Sequence, residues 1–438
     1  MSRPITAAAL IMLSTLAAGG APATAATPGP ALGPALGRVT AVVETPPLFD
    51  DAAGGDADGD DPAIWVDRAA PGRSLVLVTA KNGGLRVYDL RGRQVQSIST
   101  PPAPGPDDAP GRFNNVDLVR GFRLGGRAVD LAVVTDRGRD RLRFYRIDGG
   151  RRGAPLTDVT AGDVPFAFSA DQDEVNAQTT AYGLATFTGE AGAAYAVVSR
   201  RSTTAVGLFR LVARGGLVSY HRTATLELPS RFRLPDGTSW SPCADPGDGP
   251  QVEGMTVDPA SQTLYAAQED VGLWRIRLDG GRFAGAPRSV ERVREFGAPW
   301  TYDEQAEECV VDLANDPGFG GRIAADVEGL TILPTGPRAG TLLLSSQGDD
   351  TFYTYDRRNN RPLGRFAIVD GPTTDGAQEC DGAAVTGTPL PGFPGGLLVV
   401  HDGQNKPDVP GEPSEPSEPS DPRPNTNFKL VDAGFLRG

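Results

Sequence analysis

The sequence predicts an all-β protein with the architecture of a six-bladed β-propeller, because two short patterns each occur six times. The first pattern is an apolar strand that ends in a small or polar residue, and its copies begin at Leu75, Leu131, Tyr195, Leu264, Leu342 and Leu397. The second pattern runs from a polar residue into an apolar strand upstream of the first, and its copies begin at Asp60, Asn114, Ala181, Val252, Val327 and Cys380. The abundance of glycine (56) and proline (39) agrees with a turn-rich β protein.

Each repeat is interpreted as one blade. The first five apolar strands are followed by a polar turn and a second strand, as in LVLVT from Leu75 and then LRVYDL, and this pattern predicts a β-hairpin. With the upstream strand, each unit has three or more strands, and six such units around a channel form a propeller. A β-sandwich or a solenoid with accidental internal similarity is the alternative. NFKLV from Asn427 is expected to complete the last blade and close the ring against the N-terminal region.

The N-terminal residues have the layout of a secretory signal peptide: Arg3, an apolar run from Ile5 to Leu16, and a small-residue site at Ala23 to Ala25. We therefore expect residues 1–26 to be removed on export and the mature protein to be secreted and extracellular. The remaining predicted units are a partly flexible N-terminal segment at 27–55, the propeller domain at 56–438, and within it a flexible Pro/Glu/Ser-rich loop at 406–424.

The charge balance is acidic, with 42 Lys and Arg against 55 Asp and Glu and a net charge of -13. This balance argues against general nucleic-acid binding, since a phosphate backbone is held by clustered cations. It favours the binding of cations. An acidic protein that binds an anionic substrate needs a local basic patch or bound metal ions.

Three cysteines follow the predicted signal peptide, at Cys243, Cys309 and Cys380. Cys243 and Cys309 both lie in long polar loops upstream of similar VEG motifs, and we predict that they form a disulfide, which an exported protein allows. The alternative is three buried, unlinked thiols.

Equivalent positions of successive blades meet at one end of a propeller channel. In the second pattern these positions are predicted to be Asp61, Asp117, Tyr182, Glu253, Glu328 and Asp381. A ring with five carboxylates is electrostatically unfavourable unless cations neutralise it, and hard oxygen ligands suit calcium best. Zinc is not expected, because only two histidines, His221 and His401, are present. Solvated acids at strand starts are the alternative.

Cations follow the first three repeat strands at one fixed offset, and they are Lys81, Arg137 and Arg201. Acidic or amide residues occupy the corresponding neighbourhoods in the later repeats. One half of the rim at this end of the channel is therefore expected to be basic and the other half acidic. This arrangement suits a polyanionic, metal-bridged substrate, because Lys and Arg donate charge-assisted hydrogen bonds to phosphate oxygens. Alternatively, the cations merely pair with neighbouring carboxylates. The sequence lacks the phosphohistidine, phosphocysteine and Ser-His-Asp motifs, which leaves metal-activated water as the route to hydrolysis.

Motifs distributed from about residue 56 to 431 resemble those of β-propeller phytases, including DDPAIWVD from Asp60, FNNVDL from Phe113, VEGM from Val252 and NFKLV from Asn427. The resemblance implies a secreted bacterial enzyme of the 3-phytase type. Such an enzyme hydrolyses phytate (myo-inositol hexakisphosphate) to lower inositol phosphates and inorganic phosphate by attack of calcium-bound water. The resemblance implies several Ca²⁺ ions, structural and catalytic, with phytate or calcium-phytate as the partner. From the acidic charge balance and the lack of a long apolar run after the signal peptide, we expect no nucleic-acid or membrane partner, and we expect a monomeric chain.

The resemblance also implies residue roles. The catalytic set would be Glu253, Tyr182, Arg137 and Lys81, and the phosphate-contacting set would be Lys81, Arg137, Tyr182 and Arg201. The residues around the active-site calcium ions would be Asp60, Asp61, Glu253, Glu269, Asp326 and Glu328, and the ligands of stabilising calcium would be Asp375, Asp381, Asp402 and Asn405. The chain departs from the family at Arg201 and Ser202, where bacillar members have lysine and glutamate, and in two cysteine-bearing insertions that we expect to brace the rim.

Two other functions remain open at this point. A calcium-dependent lactonase or esterase propeller would not need Lys81, Arg137 and Arg201 together. A non-catalytic, calcium-stabilised binding propeller would bind calcium without turning over a substrate.

Overall fold

A computed structural model describes residues 36–49, 58–306, 308–410 and 422–437. The predicted signal peptide, 1–26, lies outside these ranges, as do residues 411–421 of the predicted flexible loop. The regular secondary structure of the described chain is almost entirely β-strand, and its one α-helix spans Gln172–Asn176. Within those ranges, no helix has both the length and the apolar character needed to cross a bilayer.

Six antiparallel sheets form the blades, and in each blade the first strand lies at the channel and the last lies at the outer edge. Blade 1 contains Pro62–Trp65, Leu75–Thr79, Leu85–Tyr88 and Gln94–Ile98. Blade 2 contains Phe113–Leu124, Arg127–Asp136, Arg141–Ile147 and Leu156–Asp158. Blade 3 contains Ala181–Thr188, Ala194–Arg200, Ala205–Arg214 and Leu217–Glu227. Blade 4 contains Val252–Asp258, Thr263–Gln268, Gly272–Asp279 and Arg282–Arg292. Blade 5 contains Val327–Pro334, Gly340–Ser346, Thr351–Asp356 and Pro362–Ile368. Blade 6 contains Ala383–Thr386, Leu397–Asp402 and Asn427–Asp432, followed by the N-terminal strand Val43–Glu44.

The two ends of the chain close the ring. Val43–Glu44 pairs antiparallel with Asn427–Asp432 in blade 6, and Gly37–Val39 adds a parallel strand to the edge of blade 5. The first strand of each blade contacts the first strand of the next, and the first strand of blade 6 contacts that of blade 1. The predicted six-bladed propeller is therefore confirmed, and its sheets include residues before the predicted boundary at 56.

The repeated apolar strands are the second strands of their blades, and they are buried because neighbouring strands and blades cover them. In blade 1, for example, Val76, Leu77 and Val78 have no exposed surface. A strand covered on both faces has a continuous apolar sequence instead of an alternating one. This burial explains why the repeats were visible in the sequence.

The cysteine-bearing insertions form two short hairpins outside the blades, Phe232–Arg233 with Ser239–Trp240, and Trp300–Asp303 with Glu308–Val311. The predicted disulfide between Cys243 and Cys309 is present, with an S–S distance of 2.13 Å, and Cys380 is a buried free thiol. Trp240 Nε1 donates a hydrogen bond to the Ala298 carbonyl at 2.9 Å. The Phe232 ring also stacks on Trp274 of blade 4, with ring centroids 6.4 Å apart. The insertions are thus fastened to each other, and the first of them packs against blade 4. A third short pair, Val409–Pro410 with Pro422–Arg423, flanks the undescribed part of the predicted loop.

Candidate metal and anion site at one end of the channel

A shared irregularity in the first strands places a ring of side chains at one end of the channel. The register of the first two strands shifts at this end in blades 2, 3, 4 and 5. In four blades a backbone N–H at this point donates a hydrogen bond to a hydroxyl of the second strand, over 2.7 to 3.0 Å. The pairs are Asp61 with Thr79, Asn115 with Thr135, Gly183 with Ser199, and Gly329 with Ser345. In these four blades, a hydroxyl at or next to the end of the repeated strand therefore fixes the local backbone of the ring.

The residues at equivalent ring positions are Asp60, Asn114, Tyr182, Glu253, Glu328 and Asp381. The comparison of the six sequence repeats was wrong in blades 1 and 2, where it predicted Asp61 and Asp117 at these positions. Four of the six residues, rather than five, are carboxylates. Asp117 lies beyond the irregular segment and accepts hydrogen bonds from the Thr186 backbone N–H and hydroxyl. The apolar pattern of the sequence does not reveal where the strand register shifts.

Glycines next to the ring allow adjacent first strands to approach closely. A Cβ atom on Gly254 would lie 1.5 Å from the carbonyl oxygen of Glu328, and one on Gly183 would lie 2.0 Å from that of Glu253. No side chain fits at these distances, so only glycine permits this approach. Gly183 and Gly254 therefore let the first strands of blades 3, 4 and 5 approach one another beside Glu253 and Glu328.

Three glutamates form the centre of an acidic cluster. Glu253, Glu269 and Glu328 each offer one carboxylate oxygen, and these oxygens lie within 4.8 Å of one another. All three residues are buried. Burial first, and then the charges of neighbouring carboxylates, raise the pKa of each glutamate above its ordinary value.

Asp60 and Asp326 extend this cluster. Burial and nearby carboxylates raise the pKa of both, with Glu253 contributing to each. Asp60 Oδ1, Glu269 Oε1 and Asp326 Oδ1 are buried and have no hydrogen-bond partner among the described residues. Buried carboxylate oxygens without partners are costly unless a cation pairs with them. The oxygen-only donor set and the unpartnered oxygens therefore fit Ca²⁺.

Asp61, predicted with the active-site acids, lines a channel cavity of about 160 Å³ with Asp117 and Asp381. Its Oδ2 accepts a hydrogen bond from the Val116 backbone N–H at 3.0 Å. Burial raises its pKa despite that hydrogen bond.

Basic and phenolic groups border the acidic cluster on the side of blades 1 to 3. Lys81 Nζ lies 2.5 Å from Asp58 Oδ2 and 3.5 Å from Asp381 Oδ2. Its backbone has a φ of 38°, a value that non-glycine residues rarely adopt and that is often found at functional sites. Tyr182 Oη donates to Glu253 Oε2 at 2.5 Å, and the Arg137 guanidinium lies 5.6 Å from the Tyr182 ring centroid.

The predicted cations are joined by one that the sequence did not single out. Burial, and then the charge of Arg112, lower the pKa of Arg137, and Arg201 also contributes. Three guanidinium groups are therefore close enough to interact. Arg112 lies immediately before the irregular first strand of blade 2, a position outside both repeated patterns. The predicted phosphate-contacting residues Lys81, Arg137, Tyr182 and Arg201 all lie on this side of the ring.

Two amide side chains hold carboxylates of the ring, and one of them also contacts a basic group; neither role was predicted. Asn114 Nδ2 donates to Glu253 Oε1 at 2.6 Å, and its Oδ1 accepts from Arg137 Nη1 at 3.0 Å. Gln347 Nε2 donates to Glu328 Oε2 at 2.8 Å and to Asp381 Oδ1 at 2.6 Å. These contacts join residues far apart in the chain, which a repeat pattern alone does not predict.

Gln251 provides a similar link at the base of the first insertion. Its Nε2 donates to Glu269 Oε2 at 2.8 Å, and its Oε1 accepts from the Ser202 backbone N–H at 2.7 Å. The sequence feature that could have identified Gln251 is its position immediately before the VEG motif of blade 4.

The four predicted ligands of stabilising calcium lie in two places. Asp375, Asp402 and Asn405 surround the fully buried ammonium of Lys429, which is 3.0 Å from Asp402 Oδ2 and 2.8 Å from Asn405 Oδ1 and also contacts Asp375 Oδ1. Asp381 lies in the ring instead. Burial opposes its ionisation, but His401 and Lys81 together hold its pKa below the usual value.

Two sequence comparisons match most of this chain to known proteins. A sequence model described as "Phytase" matches residues 2–215 and 290–414. A curated relative, the 3-phytase of Bacillus subtilis (strain 168), is 31% identical over 374 residues, covering 84% of this chain and 79% of that protein.

The similar solved structures include the Dos1 propeller, which is 10% identical with a TM-score of 0.37 and covers 86% of this chain and 73% of that chain. Another is the β-propeller domain of Myceliophteria thermophila Cps50 (Swd1), which is 11% identical with a TM-score of 0.35 and covers 77% of this chain and 79% of that chain. At these TM-scores, the fold assignment rests on the six sheets themselves.

Proposed function

Since the chain belongs to the phytase family, we propose that it is a calcium-dependent phosphomonoesterase that hydrolyses phytate to lower inositol phosphates and inorganic phosphate. The observation that best supports this proposal is the position of Glu253 between two kinds of group. Its carboxylate belongs to the acidic cluster and also accepts hydrogen bonds from Tyr182 and Asn114 on the basic side. A metal-binding set and an anion-binding set therefore share one residue.

The basic side would hold the phosphate groups. Arg137 and Arg201 can donate charge-assisted hydrogen bonds to phosphate oxygens, and the Lys81 ammonium supplies a point charge. Asn114 bonds both Arg137 and Glu253, so it fixes the position of the guanidinium relative to the acidic cluster. Phosphate bound there would lie beside the carboxylates and not at a distance from them.

The acidic side would hold calcium through Asp60, Glu253, Glu269, Asp326 and Glu328. Calcium bound there supplies positive charge that polarises a phosphoryl oxygen and promotes ionisation of water. Tyr182 stays protonated, because burial and then Glu253 raise its pKa well above the ordinary value. Its hydroxyl is therefore a hydrogen-bond donor at neutral pH, and Glu253 Oε2 is the acceptor that orients it.

We also propose export by residues 1–26 and activity outside the cell as a monomer. The order of Arg3, apolar run and small-residue site supports the export signal, and the disulfide between Cys243 and Cys309 fits an oxidising compartment. The name of the Bacillus subtilis relative supports the 3-phosphate as the first group removed. Separation of the first inositol pentakisphosphate product by ion chromatography would test that assignment.

The decisive experiment measures phosphate release from phytate by the purified mature protein with calcium, after EDTA treatment, and after calcium restoration. Activity that disappears with EDTA and returns with calcium is expected. A folded, calcium-loaded protein without phosphate release would overturn the proposal. Hydrolysis of lactones or esters instead would indicate a lactonase or esterase, and calcium binding without turnover of either substrate would indicate a binding propeller.

A further inference from the structure

A large cleft lies between blades 4 and 5 at the end of the blades opposite to the candidate site. Its volume is about 990 Å³, and its lining includes Asp258, the last residue of the strand that begins beside Glu253. Six arginines line the cleft: Arg275, Arg277, Arg288, Arg338, Arg357 and Arg358. Such a concentration of cations is unexpected in a chain with a net charge of -13.

The acidic residues of the lining, Asp258 and Asp279, do not balance these arginines. Asp258 is already paired, because Arg357 Nη2 lies 2.5 Å from its Oδ1 and both side chains are 3% exposed. Arg277, Arg288 and Arg338 are exposed, and within the described part of the chain no ion pair or side-chain hydrogen bond engages their guanidinium groups. The cleft therefore has excess positive charge with free hydrogen-bond donors.

The strand register brings two of the cations together. Arg275 and Arg288 are directly opposite each other on adjacent strands of blade 4. Like charges at opposite positions destabilise a sheet, so this pair does not serve the stability of the blade. Arg277 lies two residues after Arg275 and hence on the same face. A bound anion would offset the repulsion among these groups.

The walls of the cleft are held in place by contacts between the two blades. Asn360 Nδ2 of blade 5 donates to Tyr265 Oη of blade 4 at 2.8 Å, and Asn360 Oδ1 accepts from Arg275 Nη1 at 3.3 Å. The buried pair of Arg357 and Asp258 joins the same blades. These contacts place the free arginines around a cleft that is already formed, which reduces the ordering cost of binding.

We propose that this arginine cleft binds a polyphosphorylated anion at a site separate from the catalytic one, with Arg277, Arg288 and Arg338 as the phosphate-contacting residues. Guanidinium groups pair bidentately with phosphate, and several of them on one concave surface select ligands with clustered phosphates. Inositol polyphosphates and linear polyphosphate share this chemistry. The inference does not depend on the proposed hydrolytic activity, because it rests on residues at the other end of the blades.

Calorimetric titration with phytate and with linear polyphosphate would test the proposal. Mature protein carrying Arg137→Ala, with its metal content as purified, would be used so that binding at the candidate catalytic site is weakened. In that background, Arg277→Gln, Arg288→Gln and Arg338→Gln together remove the free cations of the cleft. The matched control replaces Arg123, Arg127 and Arg152, three exposed arginines of blade 2, with glutamine. Both triple variants change the net charge equally.

We expect the cleft variant to lose about tenfold or more in affinity for at least one probe, as the loss of charge-assisted hydrogen bonds predicts. The control should retain its affinity. Selective loss with phytate identifies inositol polyphosphates as the ligands, selective loss with the polymer identifies linear polyphosphate, and loss with both identifies clustered phosphates in general. Equal affinities for the two variants, or no binding of either probe to the Arg137→Ala protein, would overturn the proposal.

Two measurements separate loss of the site from loss of the fold. The thermal unfolding midpoint of the cleft variant should match that of the control, and with Arg137 intact its hydrolysis of phytate should equal wild type. If the triple variant unfolds, Arg338→Gln alone would be titrated, because this exposed loop residue lies outside the strands. Unchanged affinity of that variant for both probes would then count against the proposal.

Discussion

Lys429 Nζ lies 3.0 Å from Asp402 Oδ2, and neither side chain has any exposed surface. The lysine belongs to the C-terminal strand of blade 6, and its ammonium also lies 2.9 Å from Glu44 Oε2 on the N-terminal strand. Burial opposes the charge of Lys429, but Asp402 and the other carboxylates hold its pKa above the ordinary value. One internal cation therefore connects the two chain ends that close the propeller.

Replacement of this cation should destabilise the ring closure. In Lys429→Met, Asp375 and Asp402 remain together without the ammonium that pairs with both. Breaking a buried ion pair by removal of one partner costs about 3–5 kcal/mol, and we expect the free energy of unfolding to fall by this amount. Urea denaturation of the metal-free protein would measure it. Lys406→Met, at an exposed pair with Asp408, is the matched control, and an equal effect of the two changes would contradict the prediction.

Asp375→Ala separates two roles of the predicted calcium ligands. We expect a lower thermal midpoint at limiting calcium, because the variant loses a carboxylate that contacts Lys429 and that the family resemblance assigns to calcium. The midpoint should be measured in EDTA and over a calcium titration. A lower midpoint of the variant in EDTA reports the loss of the ion pair with Lys429. A smaller rise of the midpoint on addition of calcium than in wild type reports the loss of a calcium ligand, because a ligand stabilises only the state that binds it. An unchanged melting profile would exclude both roles.

The buried pair of Asp258 and Arg357 should make stability depend on pH in the acid range. Burial opposes ionisation of Asp258, but Arg357 and nearby donors hold its pKa below the ordinary value of 3.8. A depressed carboxyl pKa gives stability that is present above 3.8 and is lost as the pH falls through the folded-state value. Asp258→Asn should therefore cost about 3–5 kcal/mol at pH 7 and less near pH 3.

Denaturant unfolding of wild type and Asp258→Asn at the two pH values would measure this difference. Comparison at each pH removes the contribution of the acidic site, which both proteins contain. Asp279→Asn, at an exposed position on the same blade, is the control and should have little effect at either pH. A cost for Asp258→Asn that does not change with pH would contradict the assignment of the pair.

Arg137→Ala and Glu253→Gln should each lower the kcat/KM for phytate by about 100-fold, because each removes a charged group from the centre of the site. Arg137 would contact phosphate, whereas Glu253 joins the acidic cluster to Tyr182 and Asn114. Steady-state phosphate release at saturating calcium would measure both effects. Arg123→Ala, at an exposed arginine of blade 2, is the control for the loss of one positive charge. Near-normal activity in both site variants would refute the site assignment.

The sequence predicted the fold because burial makes the second strand of each blade continuously apolar, as in Leu75–Thr79. It predicted the ring less accurately, because the register shift that brings Asn114 rather than Asp117 to the ring leaves no mark in the apolar pattern. Lys429 was not recognised, since a lysine between apolar residues looks like the polar face of an ordinary strand. Its carboxylate partners come from distant segments, and only the closed ring brings them together.

Gln251 should be a positioning residue for the acidic cluster. Its amide group joins Glu269 to the Ser202 backbone, and the same loop is held by the Ser202 hydroxyl, which donates to Asp248 Oδ2 at 2.6 Å. Gln251→Ala removes the donor to Glu269 and leaves that carboxylate free to turn. We expect kcat/KM for phytate to fall about tenfold and the calcium concentration for half-maximal activity to rise, by analogy with the loss of groups that orient metal ligands.

A calcium titration of phytate hydrolysis would measure both effects for Gln251→Ala. Gln305→Ala, at an exposed position in the second insertion, is the control, and Gln251→Asn tests whether a shorter amide restores part of the function. A purely structural role would lower the thermal midpoint without changing the calcium dependence. That result would show that Gln251 supports the loop and does not orient Glu269.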